Sequence, residues 1–230
     1  MRGPNRQLIL TKGTAKKLFY TGFNTLDDPQ LIGIREHILK QVGVPLESHS
    51  LLAQQVGFAV QDPDDNILCF GVSNQQTLPN ECLDEGLQRV VVPTANLQKM
   101  MKYYQDMLGF LPSGIVKTEE GPLTVAFYRS NPEHHSFAAF APNEPGFDHF
   151  AFETPSWNRI RDWADHLSKM DIPIWWGLGH HGAGNNLFFM ALDPDGNKIE
   201  ISAELELMDW DHPLRYWPHN RRTLNLWGNA

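Results

Sequence analysis

The sequence predicts an α+β fold built from three copies of one βαβββ module. Three observations predict it. The turn motif DPDDN at residues 62–66 returns as DPDGN at 193–197. The stretches NTLDDPQLIGIREHILKQVGVP and ETPSWNRIRDWADHLSKMDIP match in pattern, each a strand end leading into a helix. Between them, residues 87–141 repeat the order of one strand, one helix and further strands. Self-similarity at a period of some tens of residues marks stacked modules.

Taken in order, residues 6–13 (RQLILTKG) read as a strand running into a turn, and 16–25 as a second strand. Asp27 to Val42 reads as a helix, with Asp27 or Asp28 as its cap, Pro29 in its first turn and Leu31, Ile34, Ile38 and Leu39 as its apolar stripe. Residues 51–60 and 67–72 read as strands around the DPDDN turn, and 74–85 as a linker. The middle copy has a strand in LQRVVVPTA and a helix from Asn96 to Leu108, closed by Gly109. Strands follow around Ile115, over 125–128 and over 136–140. The third copy has a strand at 146–154 and a helix from Trp157 to Met170 opened by Ser156. A glycine-rich loop holds His180 and His181 between Gly179 and Gly184. Leu187 to Leu192 is an apolar strand, and after the turn Ile199 and Ile201 share one strand face while Glu200 takes the other. The domains are then 1–80, with one module; 81–203, with two modules and the active-site cavity; and an extended arm over 204–230.

The net charge of -8 supplies no basic stripe and argues against a nucleic-acid partner. No apolar run reaches membrane-spanning length, and MRGPNRQLILTKG lacks a signal-peptide core. Cys69 and Cys82 form neither a disulfide framework nor a zinc spacing, so the expected home is the cytoplasm.

Comparing the copies locates the chemistry. The third has His149 on its first strand and Glu200 on its last. The first has Tyr20 and Cys69 at those places, and the middle copy opens with Arg89. Glu200 alone reads as a solvent-facing strand residue. With partners elsewhere it reads as a carboxylate aimed into a metal site.

A βαβββ copy with His on its first strand and Glu after DPDGN resembles the vicinal oxygen chelate superfamily, which holds glyoxalase I, the bleomycin-resistance proteins and the extradiol ring-cleaving dioxygenases. HHSFAAF at 134–140, FDHFAFE at 147–153, GHHGAGNNLFF at 179–189, DPDGNKIEIS at 193–202 and HPLRYWPHNRRTLNLWG at 212–228 narrow the resemblance. Together they resemble the type I extradiol dioxygenases, the catechol 2,3-dioxygenase and dihydroxybiphenyl dioxygenase group.

The resemblance implies a catecholic aromatic substrate, O₂, and Fe(II) or sometimes Mn(II) held by two His and one carboxylate. Carried over by position, His149 and Glu200 would be metal ligands. His135 would be the acid/base, and His181, with His180 as the register alternative, a catalytic and substrate-contacting His. Asn186 and position 190 belong to the substrate side. Two positions depart from the pattern. Arg89 stands where the first His ligand is expected, and Met190 where a Tyr usually bonds the substrate hydroxyl. Arginine stays protonated and cannot ligate a metal.

Three readings follow. In the first, His134 or His135 replaces the lost ligand and the chain cleaves rings. In the second, Arg89 clamps an anion in a metal-free lyase, isomerase or hydrolase. In the third, the chain binds an aromatic ligand without turnover. Arg89 paired with Glu200 as a structural ion pair fits the last two. The resemblance implies four such modules, and the expectation here is that most of the first is missing. The remaining N-terminal module is therefore expected to pair with its copy in a second chain, forming a dimer.

Overall fold

The computed structural model describes residues 8–42, 56–72, 86–141 and 144–228. Two sheets organise them. A three-stranded sheet has the order β1 (Thr21–Thr25), β3 (Ile67–Val72), β2 (Val56–Gln61). A nine-stranded sheet holds β4 (Gly86–Pro93), β5 (Leu111–Lys117), β6 (Leu123–Arg129), β7 (Phe137–Phe140), β8 (His149–Thr154), β9 (Ile174–His180), β10 (Leu187–Leu192), β11 (Lys198–Ala203) and β12 (Arg215–Pro218). Its spatial order is β12-β5-β6-β7-β4-β8-β11-β10-β9. Helices α1 (Asp28–Val42), α2 (Leu97–Lys102), α3 (Trp157–Lys169) and α4 (Arg221–Leu224) complete the chain. Among the described residues no helix is long and apolar enough to cross a membrane.

Local chemistry explains the helix starts. The Asp27 carboxylate accepts from the Gln30 amide at 2.8 Å, and the Asn96 side chain accepts from the Lys99 amide at 3.0 Å. Each satisfies an amide left open by the first helical turn. The middle helix fills its expected span: α-helical over Leu97–Lys102, it continues as a π-helix over Tyr103–Met107, and Gly109 closes it at a φ of 70°. Tyr104 is fully buried there, stacked 4.3 Å from Phe137, with its hydroxyl donating to Asp62 at 3.1 Å.

Several expectations are corrected. Residues 8–13 form no strand; Leu8, Ile9 and Leu10 are exposed, with no neighbouring strand to pair with. The strand expected over 16–25 is confined to 21–25, after a positive φ of 58° at Lys16. The strand expected from residue 51 is described from Val56, and residues 51–55, the 74–85 linker and Cys82 lie outside the described residues. The glycine-rich loop is shorter, because β9 runs through Gly179 to His180. The C-terminal stretch does not stand free: β12 pairs in parallel with β5.

Strand alternation then separates core from site. Leu187, Phe189, Ile201 and Ala203 pack outward on Ile160, Trp163 and Leu167 of α3. Phe188, Met190, Glu200 and Ser202 take the opposite face by the two-residue period. Three parallel strand pairs have matching registers. Glu200 lies beside Ala151, Cys69 beside Gly22 and Ala138 beside Val91. Two residues before these partners stand His149, Tyr20 and Arg89. Strands β4 and β8 meet antiparallel, with Arg89 opposite Ala151 and Val91 opposite His149. Arg89 and His149 are therefore related by a local two-fold.

The three-stranded sheet has neighbours within the chain. Phe23, Phe58 and Phe70 pack with Ile38, Tyr104 and Phe110 in one core cluster. The expected reason for dimerisation, an apolar sheet face without an intrachain partner, is thus not seen for these residues.

Candidate active site

Glu200 is the centre of the concave face and is 1% exposed, so the solvent-facing reading does not apply. The Arg89 guanidinium donates through Nη2 to its Oε1. His149 Nε2 lies 3.2 Å from Oε2, and His181 Nε2 lies 3.6 Å from Oε1. Asn186 Nδ2 reaches Oε1 at 3.4 Å and the Ser202 hydroxyl at 2.9 Å. Met190 is directly across from Glu200 in the β10–β11 register and is 3% exposed. The structure thus brings together Arg89, His149, His181, Asn186, Met190 and Glu200. His135 is buried, bonded through Nδ1 to His134 Nδ1 at 2.9 Å and beside the Phe127 ring, and the charges of Arg89, Glu200 and His181 reach it. His180 turns away, its ring at 3.0 Å from Asn185 Oδ1 and beside Trp227. Trp176 borders the site, edge-on to His181, whereas Trp175 is on the surface under Lys198.

A β-bulge aims Arg89. The register between β4 and β8 shifts between Leu87 and Arg89, leaving Gln88 as the extra residue. Adjacent strand side chains ordinarily point to opposite faces. Here Gln88 Oε1 instead accepts from Arg89 Nη1 at 2.5 Å, and Gln88 Nε2 donates to Glu133 at 3.3 Å. Arg89 Nη1 also reaches Ser202 at 3.3 Å. On the far side, His149 Nδ1 donates to Asp148 at 2.6 Å, and Asp148 accepts from Lys198 at 2.6 Å. Lys198 is therefore tied to the site's rim.

Gln88, Ser202 and Asp148 are site residues that sequence reasoning missed. Ser202 was readable as the same-face neighbour of Glu200, and Asp148 as the acid preceding His149. No glycine or proline signals the bulge that recruits Gln88.

The electrostatics are cooperative. Burial alone would raise the Glu200 carboxyl pKa, but the Arg89 charge and the adjoining His149 and His181 rings hold it well below the usual range. Burial likewise works against charge on His149, yet its bonds to Asp148 and Glu200 raise its pKa. Nδ1 donates to Asp148 and Nε2 faces Glu200, so the two carboxylates favour the protonated ring. His134 and His135 go the other way. Burial, with Arg215 and Arg89 nearby, lowers His134 to about 3. Burial, with Arg89 and His134, lowers His135 well below its ordinary value.

These shifts set a pH dependence. Below about pH 6.5 the unfolded chain protonates both residues while the folded chain does not, so stability falls as pH falls. The His149 contribution is already complete there, because a raised folded pKa matters only above the unfolded value. The Glu200 and Asp148 contributions are lost only below about pH 4.5, through the carboxylate range. Urea midpoints between pH 6.5 and 4.5 should therefore track His134 and His135, at about 1.4 kcal/mol per pH unit for each. His134→Gln should remove about half of that slope. An unchanged slope would contradict the assignment.

The alternating strands, the bulge-aimed arginine and the buried carboxylate define a glyoxalase-type fold with a charged inner face. Residues 86–201 match the model of the Glyoxalase/Bleomycin resistance protein/Dioxygenase superfamily, and the chain belongs to that superfamily. Its relatives include extradiol dioxygenases. It is 24% identical over 221 residues to metapyrocatechase 2 of Cupriavidus necator, covering 85% of this chain and 67% of that protein. It is 27% identical over 157 residues to an iron-dependent extradiol dioxygenase of Rhodococcus jostii, covering 64% of this chain and 51% of that protein. The chain thus spans between half and two thirds of these relatives. Among solved structures, the Mn(II)-bound glyoxalase from Novosphingobium aromaticivorans superposes with a TM-score of 0.79 at 24% identity, over 92% of this chain and 71% of the other. An extradiol ring-cleaving dioxygenase from B. fuscum gives 0.80 at 24% identity, over 95% and 65%. These likenesses establish the fold.

Two of these proteins are named for a metal, and the residues of this chain do not fit one as they stand. The Arg89 guanidinium donates to Glu200, and His149 Nε2 is committed to the same carboxylate. His134 Nδ1 and His135 Nδ1 are bonded to each other at 2.9 Å. Among the described residues no three His, Cys, Asp or Glu are grouped to hold a metal ion. Arg89 supplies the positive charge where a metal ligand was expected.

Proposed function

We propose that this chain uses the extradiol dioxygenase fold without a metal, as a site for a catechol-like aromatic compound with one ionised and one protonated oxygen. The carrying observation is the buried Arg89–Glu200 pair at the head of the site. Arg89, Lys198 and His149 alternate with Glu200, Asp148 and, through Gln88, Glu133 in one connected set of hydrogen bonds, and Arg89 is the cationic donor at its head that would meet an oxyanion. His135 stays neutral and accepts a hydrogen bond from the remaining hydroxyl. The accessible chemistry is binding and proton transfer on the bound diol or enol, as in a lyase or isomerase. Met190 supports this reading because it cannot donate to a substrate oxygen.

Calorimetry with catechol in a chelator-treated buffer tests it. Binding should persist with EDTA and weaken at least about tenfold in Arg89→Met, in line with loss of a charge-assisted hydrogen bond. Binding that appears only after Fe(II) is added would overturn it.

The relatives' names favour a second reading: ring cleavage of a catechol with O₂, using Fe(II) or Mn(II). It requires Arg89 to leave Glu200, and His134 or His135 to turn toward the site. Three modules, the division at 1–80, 81–203 and 204–230, and a dimer through the N-terminal module complete the proposal. A monomer by light scattering at micromolar concentration would contradict the dimer.

A further inference from the structure

Gln88 stands between two carboxylates, Glu200 and Glu133, that compete for Arg89. It is buried and fills the bulge in β4. Its carbonyl accepts from Arg89 Nη1 at 2.5 Å, and its amide nitrogen donates to Glu133 Oε1 at 3.3 Å. Arginine only donates and an ionised carboxylate only accepts, so the amide turns its one acceptor to the first and a donor to the second. The width of one amide group therefore separates the guanidinium from Glu133. Glu133 is itself buried and steadied by Asn131 Nδ2 at 2.6 Å.

A cavity of about 360 Å³ opens at Glu133, lined also by Glu153, Glu204, Leu205 and Leu207. It continues the inner face that carries the site. His149, Ala151 and Glu153 share one side of β8 by the two-residue period, and Glu153 lies beside Ser202 in the β8–β11 register. Arg89 Nη1 already reaches Ser202 at 3.3 Å. Charge draws Arg89 further the same way. At Glu200 it shares one carboxylate with His149, whose Nε2 is 3.2 Å from Oε2. Along the cavity Glu133, Glu153 and Glu204 concentrate negative charge, which attracts a guanidinium more strongly where water is scarce.

We propose that Gln88 is the positioning residue that keeps Arg89 on Glu200, and that the acidic cavity at Glu133 is a second seat for the same guanidinium. With Gln88 in place, Nη1 is held by Gln88 and Ser202 and Nη2 by Glu200, which fixes the guanidinium plane. One Nη2 hydrogen is left for a ligand oxyanion. With Arg89 in the second seat, Glu200 and His149 lose the cation that keeps a metal away. Gln88 thus holds the chain as an anion site and not a metal site. The ligand rests on the function proposed above; the positioning role and the second seat do not.

Titrations with Mn(II) and with catechol test this in two variants. Gln88→Ala opens the gap to Glu133, and Gln88→Leu removes the hydrogen bonds but keeps the gap filled. Mn(II) should bind Gln88→Ala at least about tenfold more tightly than the natural chain, the scale of removing one like charge, and Gln88→Leu no more tightly. Adding Glu133→Gln to Gln88→Ala should abolish the gain, because it removes the nearest carboxylate of the second seat. Looser packing alone would destabilise both Gln88 variants and produce neither the gain nor its reversal. In the natural chain, Arg89 Nη1 and Nη2 should give separate ¹⁵N signals, assigned with Arg89→Met, since each is held by its own acceptors. One averaged signal would overturn the positioning role without recourse to a Gln88 variant. Catechol should bind Gln88→Ala about tenfold more weakly than the natural chain, the loss of one charge-assisted hydrogen bond. If catechol binds neither protein and the Mn(II) pattern holds, the proposed ligand fails and the positioning role stands. No Mn(II) gain in Gln88→Ala, an equal gain in Gln88→Leu, or a gain that survives Glu133→Gln overturns it.

Discussion

Glu200→Gln should destabilise the fold by about 3–5 kcal/mol, the cost of breaking a buried ion pair by removing one partner. The side chain keeps its shape, so no cavity contributes. What changes is charge: Arg89 and His149 are left facing each other without their shared carboxylate. Asn186 also loses an acceptor. Urea denaturation near pH 7 measures the effect. The double variant Arg89→Met with Glu200→Leu should recover most of it, because well-packed apolar residues replace buried pairs at little cost. A loss below about 1 kcal/mol in Glu200→Gln would mean that the pair is not formed in solution.

Arg89→His should turn the site into a metal binder. The two-fold between β4 and β8 places residue 89 where it mirrors His149, so a histidine there would complete two His and one carboxylate. It would also release Glu200 from its guanidinium. Calorimetric titration with Mn(II) should then show about one site per chain, at least about a hundredfold tighter than in the natural chain, the scale of adding a ligand and removing a like charge. Equal affinity in both proteins would show that Arg89 is no obstacle to the metal.

Much of this architecture was legible in the sequence, for identifiable reasons. The DPDDN and DPDGN turns are both found, each with its leading Asp accepting amides further along the turn. The helix expected to open at Asn96 does so, with Asn96 as its cap. The alternation of Ile199, Glu200 and Ile201 told which face Glu200 takes, but not that this face is covered. That depends on β4, β8 and the C-terminal arm, which are distant in sequence. The same holds for His181. Its ring is stacked on Phe188 at 3.8 Å, and its Nδ1 donates to the Leu224 carbonyl, a partner no local pattern indicates. The ends of strands were misread where a strand needs a partner, as at Leu8 to Leu10. The middle helix was read with its right span, and only its π-helical second half was not legible. Arg89 was visible as a departure from pattern. Its hold on Glu200 was one of several possibilities until the bulge at Gln88 fixed its direction.

The most direct test of the metal-free reading is the metal content of the natural chain after anaerobic loading with Fe(II) and desalting. The account predicts that no stoichiometric iron is retained, and that a catechol assay on the same sample yields no ring-fission product. About one iron per chain, with yellow product from catechol, would contradict it and establish that another residue serves as the ligand missing at Arg89.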